Sequence, residues 1–351
     1  MKLYYIGLAS LLSILLFQCS NSNADYNSNK KISRASSSTF GVIKINGVSF
    51  VSPSTEIDES EIKNPKTLIA ANALSFMPYA FVDENSTDLL FNSEWQWWGE
   101  KTEGIEQMIE LAQAEDYQIM LKPHVWKNHG TYTGKHSYST EDKWIAFEKN
   151  YERYILHYAK LAENKKLRHF CIGTEWEQFV QQRSDFWFNL INKVRKVYSG
   201  KLTYASNWDE YLKVPFWKEL DFIGVDAYFP LVETKTPEIS ALKKALKPFK
   251  VALQQLSDSL DKKVIFTEYG YRSKDFTSHQ PWEAGRDGVV NIGAQENAYE
   301  AFYATFWQES YIAGGFLWKW FPNHKKVGGN NNNGFTPQNK PVEKIIFNHY
   351  N

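Results

Sequence analysis

Apolar runs recur along the chain, each a few residues long and each followed by a polar loop and a stretch of helical spacing. The strand candidates are Val42–Val51, Ala70–Met77, Tyr117–Lys122, Leu167–Gly173, Leu202–Ala205, Phe222–Val225, Lys263–Thr267 and Gly314–Trp318. Most are continuously apolar rather than alternating, which is how parallel strands buried on both faces read. Between them lie stripes at helical spacing: Ile105, Met108, Ile109 and Ala112; Trp144, Phe147, Tyr151, Tyr154, Ile155 and Tyr158; Trp187, Leu190, Ile191 and Val194; Leu242, Leu246, Phe249, Leu253 and Leu256; Tyr299, Phe302, Tyr303 and Phe306. These stripes are core by default. Pro248 predicts a kink or break in the fourth of them. The segment after the fifth strand is short and interrupted by proline, so its helix is the weakest. Strand–helix alternation of this kind predicts an α/β fold, a single (β/α)8 TIM barrel. An open doubly wound sheet is the alternative, but it brings a glycine-rich nucleotide turn after its first strand, and Ile45-Asn46-Gly47-Val48 is no such turn.

The N-terminus departs from this pattern. Residues 1–19 carry Lys2, an apolar run from Leu3 to Phe17, and Cys19. The run is shorter than the roughly 20 residues of a membrane span, so it predicts a signal peptide. Leu16-Phe17-Gln18-Cys19 resembles a bacterial lipoprotein cleavage site, with Gln18 in place of the usual small residue. Cys19 is then the lipidation site and the protein is exported and lipid-anchored, with secretion after cleavage elsewhere as the alternative. Residues 20–40 are rich in Ser and Asn and read as a flexible tether. Residues 41–351 are expected to form one domain and to act as a monomer.

Composition narrows the function. Lys+Arg and Asp+Glu are each 40 of 351 residues, and the zero net charge argues against nucleic acid as a partner. Hydrophobic residues at 43% and charged residues at 23% lie in the globular range. Two cysteines rule out a disulfide scaffold, and Cys171, in an apolar run, reads as a buried small hydrophobe. Aromatic residues reach 16%, enough to fill a large core or to line a cleft that stacks on rings.

In such barrels the working residues lie where strands end. The fourth strand candidate runs into Gly173-Thr174-Glu175-Trp176-Glu177 and the seventh into Thr267-Glu268-Tyr269-Gly270. Glu175 and Glu268 therefore face each other across the barrel mouth, where burial of an acid is accepted for a partner or a reaction. Two carboxyls flanking a cleft are what glycoside hydrolysis needs. Trp126, Trp176, Trp208, Trp318 and Trp320 are placed near the same rim, where flat rings stack on sugars. His124, Asn207, Asp226 and Tyr228 are candidate hydroxyl contacts. Tyr79 and Lys122, at the ends of the second and third strands, complete the substrate-contact set. Either glutamate alone reads equally well as a capping or salt-bridging carboxylate, and Glu177 rivals Glu175.

The strings Leu121–Val125 (LKPHV), Ile172–Glu175 (IGTE), Leu202–Trp208 (LTYASNW), Phe222–Pro230 (FIGVDAYFP) and Ile265–Arg272 (IFTEYGYR), in this order, resemble glycoside hydrolase family 113, from about Asn46 to Trp320. That family belongs to clan A, barrels with the acid/base on strand four and the nucleophile on strand seven. The resemblance implies a retaining endo-β-mannanase without a cofactor, acting on β-mannan or manno-oligosaccharides. Glu175 would be the acid/base, Glu268 the nucleophile, Tyr228 a neighbour of the nucleophile and Trp318 the platform under the sugar at the cleavage point. Many clan A enzymes carry Asn before the acid/base, where it meets the sugar 2-hydroxyl. Thr174 stands there here, and Asn207 is the expected substitute.

Other signals are weaker. His124, His129 and His136 share one segment, but their spacing matches no zinc pattern, so no metal is expected. Gly328–Gly334 (GGNNNNG) reads as a mobile loop, and Trp282 as a distal sugar platform or local packing. Two alternatives remain: a hydrolase of another β-glycan such as β-glucan or xylan, and a surface lipoprotein that binds glycans without turnover.

Overall fold

The computed structural model describes residues 44–84, 86–127, 131–285 and 287–351. The signal-peptide, tether and Cys19 expectations lie outside these residues, as does His129. The elements in chain order are β1 (Ile45–Phe50), α1 (Glu59–Ile69), β2 (Ala73–Phe76), β3 (Tyr79–Val82), α2 (Thr102–Ala114), β4 (Gln118–Leu121), β5 (His124–Lys127), α3 (Glu141–Asn164) and β6 (His169–Thr174), then α4 (Glu177–Gln182), α5 (Ser184–Arg195), β7 (Lys201–Asn207), β8 (Ile223–Asp226), α6 (Ile239–Leu260), β9 (Val264–Tyr269), α7 (Ile292–Phe306), β10 (Ile312–Trp320) and α8 (Val342–Tyr350).

Eight of the strands close a barrel in the order β1-β10-β9-β8-β7-β6-β4-β2, and every pair in it is parallel. The fold is the (β/α)8 TIM barrel, and the fourth and seventh barrel strands are β6 and β9. Its interior is filled by a small layer that includes Ile45, Ala73, Met120, Cys171, Ala205, Ile265 and Phe316. Cys171 is buried and unpaired, and its thiol donates to the Gly173 carbonyl at 3.2 Å. A second, larger core lies between barrel and helices. It takes most of the aromatic side chains, among them Tyr151, Tyr154, Tyr158, Trp187, Phe302 and Tyr303.

The seam between β1 and β10 shows how sequence meets topology. Ile45 pairs with Gly314, whose φ is +124°, and a Cβ there would lie 2.2 Å from the Ile45 carbonyl oxygen. Only glycine fits that approach. Below the seam, α8 seals the barrel floor. Asn46 Nδ2 donates to Tyr350 O at 2.7 Å and Tyr350 OH donates to Gly47 O at 2.9 Å. Tyr350 OH also bonds to the hydroxyl of Tyr269, the neighbour of Glu268.

Three features differ from the pattern-based expectation. α6 runs unbroken through Pro248, an exposed position, because Leu242, Leu246 and Leu253 bury one continuous face on both sides of it. After β7 there is only a short 3-10 turn at Trp217–Glu219. Beyond the barrel mouth, β3 and β5 pair in parallel as a two-stranded extension of the second and third barrel strands, with Tyr79 opposite His124 and Phe81 opposite Trp126.

The Gly328–Gly334 loop is tied down rather than loose. Gly329 N–H donates to Gln338 O at 2.9 Å and Arg272 Nε to Asn333 O at 3.1 Å. The buried Lys340 ammonium donates to Ser273 Oγ at 2.8 Å, Asn332 Oδ1 at 3.0 Å and Gly334 O at 2.9 Å. The loop leads into Phe335, whose ring meets Tyr228 edge-on at 6.2 Å.

Candidate active site

Glu175 follows β6 with φ at +53°, a left-handed conformation that a non-glycine residue adopts at a cost. Its neighbours hold it there. Glu175 N–H donates to Ala205 O at 2.8 Å, and Trp176 N–H donates to Tyr204 OH at 2.7 Å. The Trp176 ring is fully buried against Phe147, Tyr151 and Phe179. Trp176 thus anchors the turn, while Glu175 lines a cavity of about 170 Å³ at the barrel mouth, together with Glu268, His124, Thr174, Tyr79 and Trp318. Glu177 begins α4, lines a separate small cavity beside Glu210, and is absent from the one that holds Glu268. The structure therefore brings Glu175, not Glu177, to Glu268.

Glu268 is held at both oxygens. Lys122 Nζ donates to Oε1 at 2.5 Å and Tyr228 OH donates to Oε2 at 2.8 Å. Lys122 also lies 3.4 Å from Asp226 Oδ1, which accepts from Thr267 Oγ1 at 2.6 Å. Burial opposes the charge on Lys122, but the Asp226 and Glu268 carboxylates outweigh it and raise its pKa above the ordinary lysine value. Lys122 thus stays an ammonium between the two carboxylates. Burial pushes Asp226 upward, and it pushes the Tyr228 phenol well up with the help of Glu268, so that Tyr228 remains a donor. Burial, then the charges of Asp226 and Glu268, push the Glu175 carboxyl well above its usual range. A carboxyl with a raised pKa beside a second carboxyl is an arrangement that acid catalysis near neutrality can use.

The remaining sequence candidates sort by burial. Lys122 and Asp226 expose no surface, so neither reaches a sugar, and both move from the substrate set to the support of Glu268. His124 and Tyr79 line the cavity, with their rings edge-to-face at 5.4 Å. Burial and the Lys122 charge hold His124 well below its usual pKa, and its Nε2 has no hydrogen-bond partner among the described residues. Thr174 Oγ1 is likewise without a partner among the described residues and lines the same cavity. Both atoms are themselves buried, and His124 Nε2 lies 3.7 Å from Glu268 Oε1. Trp318 forms a wall, with its ring parallel to His124 at 6.3 Å, and Trp126 stands at the outer edge, 47% exposed.

Asn207 does not join this cavity. It lines the small one behind Glu175, and its Nδ2 donates to Asp209 Oδ1 at 2.9 Å, so Thr174 and not Asn207 faces the cleft. Trp208 also lies away from it, stacked on Trp282 at 5.3 Å. Trp176 and Trp320, expected at the rim, are core residues. His136 is fully buried among Tyr138, Phe147 and Trp176, and burial lowers its pKa to about 4. Among the described residues no group of His, Cys, Asp or Glu is placed to hold a metal ion.

The family model of Glycoside Hydrolase Family 113 matches residues 39–340. The chain belongs to glycoside hydrolase family 113. This family 113 hydrolase has the fold of solved members of its family. A β-1,4-mannanase of family 113, solved in complex, is 24% identical over 88% of this chain and 98% of its own, with a TM-score of 0.75. The family 113 β-mannanase of Alicyclobacillus acidocaldarius, solved in complex with ManMIm, is 23% identical over 88% and 97%, with a TM-score of 0.76. The β-glucuronidase of Ruminococcus gnavus shares the barrel more distantly, at 12% identity and a TM-score of 0.59 over 50% of its length. Among curated proteins none matches the chain.

Proposed function

We propose that this family 113 hydrolase cleaves β-mannan or manno-oligosaccharides with retention of anomeric configuration, Glu268 serving as nucleophile and Glu175 as acid/base. The observation that carries the reading is the opposite preparation of the two carboxyls in one cavity. Glu268 is oriented at both oxygens by Lys122 and Tyr228, while burial and like charge raise the Glu175 carboxyl's hold on its proton.

In the first step a Glu268 oxygen attacks the anomeric carbon, and Glu175 gives its proton to the departing glycosidic oxygen. In the second, Glu175, now a carboxylate, takes a proton from water as that water displaces Glu268. Positioned proton transfer of this kind contributes about 10²–10⁴-fold. Trp318 offers a flat face to the reacting sugar, and His124 and Thr174 line the cavity beside it. The β-mannanase neighbours support the choice of mannan, and the family supports O-glycosyl hydrolysis.

Incubation with mannan and assay of reducing ends tests the substrate, and NMR of the first-formed anomer tests the stereochemistry. Retention is expected, and an inverted anomer would remove the nucleophile role from Glu268. Glu175→Gln should keep far more activity on activated aryl glycosides than on mannan, and equal losses would contradict the acid assignment. Mannan left intact while β-glucan or xylan is cut would replace the substrate and leave the mechanism. As part of the same reading we place the enzyme outside the cytoplasm, as a monomer anchored through lipidated Cys19. Radiolabelled palmitate incorporated into the native protein but not into Cys19→Ser is the expected result.

A further inference from the structure

The cavity that holds the two glutamates is not isolated. It shares Tyr79, Trp126 and Trp318 with a neighbouring hollow of about 630 Å³, which Trp95, Trp97 and Lys319 also line. The β3–β5 extension explains the alignment. Alternate residues of a strand share a face, so the rung of Tyr79 and His124 at the glutamates is followed, about 6.6 Å outward, by the rung of Phe81 and Trp126. Trp95 packs edge-on against Phe81 at 4.7 Å and widens the wall. Trp95, Trp97 and Trp126 are 59%, 54% and 47% exposed, and so much indole surface gathered on one side of a cleft marks a binding surface.

We propose that this hollow binds the glycone arm of a β-linked glycan, with Trp95 and Trp97 as sugar-stacking surfaces beyond the cleavage point. Its shape and chemistry fit such a chain. Flat indoles match the C–H faces of pyranose rings. Lys319 Nζ lies over the Trp318 and Phe321 rings at 5.0 and 5.2 Å and forms no ion pair among the described residues, so its protons are available to ring-edge hydroxyls. The direction comes from the acid/base assignment proposed above, on which this inference rests. A leaving group departs toward the acid that protonates it. The hollow is walled by the ends of β1, β3, β5 and β10 and by the segment before α2; neither glutamate lines it, and Glu175 also lines the small cavity of Ser206 and Asn207, which shares no residue with the hollow. The arm retained on Glu268 therefore extends into it.

Chromogenic aryl β-glycosides test this directly, because the aryl group takes the leaving side and every sugar lies on the glycone side. Two series, aryl β-manno-oligosides and aryl β-cello-oligosides of one to four sugars, are assayed with wild type, Trp95→Ala and Trp97→Ala. The expected result is a kcat/KM that rises with glycone length, and a long-to-short ratio that falls about tenfold in each variant. Unchanged thermal midpoints are expected, since both side chains are exposed. A rate independent of length, or a ratio untouched by both substitutions, overturns the hollow while leaving the mannan reading intact. Cleavage confined to the cello series, with the same dependence on length and tryptophan, sinks mannan and upholds the hollow. A loss seen only with oligosaccharides extended on the leaving side overturns the direction, and cleavage of neither series overturns both.

Discussion

At the scale of single residues, the site is a set of electrostatic compromises that each carry a measurable signature. Glu175 binds its proton more tightly folded than unfolded. Between the unfolded carboxyl pKa of about 4.3 and the raised native value, the native state holds more protons, so this group makes stability fall as pH rises. Glu175→Gln should therefore be more stable than wild type at pH 7, with the gain vanishing near pH 4, as denaturant midpoints across that range will show. Tyr228→Phe removes a hydrogen bond to a carboxylate, worth about 1.5–3 kcal/mol. Loss of about 10–100-fold in kcat/KM is expected, mostly in kcat, and steady-state kinetics on an aryl mannoside reads it. The two glutamates are legible because each directly follows an apolar run. Lys122 and Asp226 read as strand-end residues, but the chain order does not say which way a side chain turns once its strand has ended. Asn207 was misplaced for a different reason: Asp209, two residues on, captures its amide.

At the scale of elements, the eight barrel strands could be read from their apolar runs to within a few residues, because burial on both faces leaves little else to be read. The β3–β5 extension leaves only a faint signal in the sequence. Tyr-Ala-Phe-Val and His-Val-Trp-Lys are four-residue pieces next to Pro78 and Pro123, and alternation over so few positions is weak. The wall of Trp95 and Trp97 lies in a loop without periodicity. The composition of the asparagine-rich loop misleads because it counts only the loop's own residues, whereas Arg272, Ser273 and Lys340 tie the loop from outside. Two adjacent glycines of that loop separate strain from crowding. Gly328 and Gly329 have φ of +73° and +80°, but a Cβ on Gly328 would lie 1.7 Å from Gln338 O while one on Gly329 meets nothing within 4 Å. Gly329→Ala should cost about 1–2 kcal/mol, the left-handed penalty alone. Gly328→Ala should cost more and also slow turnover, because the displaced loop no longer props Tyr228 through Phe335. Thermal midpoints and kcat of the two variants, side by side, make the comparison.

At the scale of the whole molecule, the aromatic content resolves into two uses. Most rings fill the space between barrel and helices, and a minority stand in the open around the mouth. The same packing ties the floor to the site. Tyr350 stacks on Trp307 at 5.9 Å and bonds to Tyr269, so α8 reaches the strand that carries Glu268. Tyr350→Ala should cost about 3–5 kcal/mol by urea titration, in the range for emptying a buried aromatic position. The seam between β1 and β10 has a consequence for biogenesis. The first strand acquires its second neighbour only after Ile312 has been made, and its latch only with Tyr350. A nascent chain short of that point carries an open sheet edge, which other polypeptides recognise. Chaperones would therefore meet this protein as an unclosed ribbon, with its two carboxyls not yet opposed.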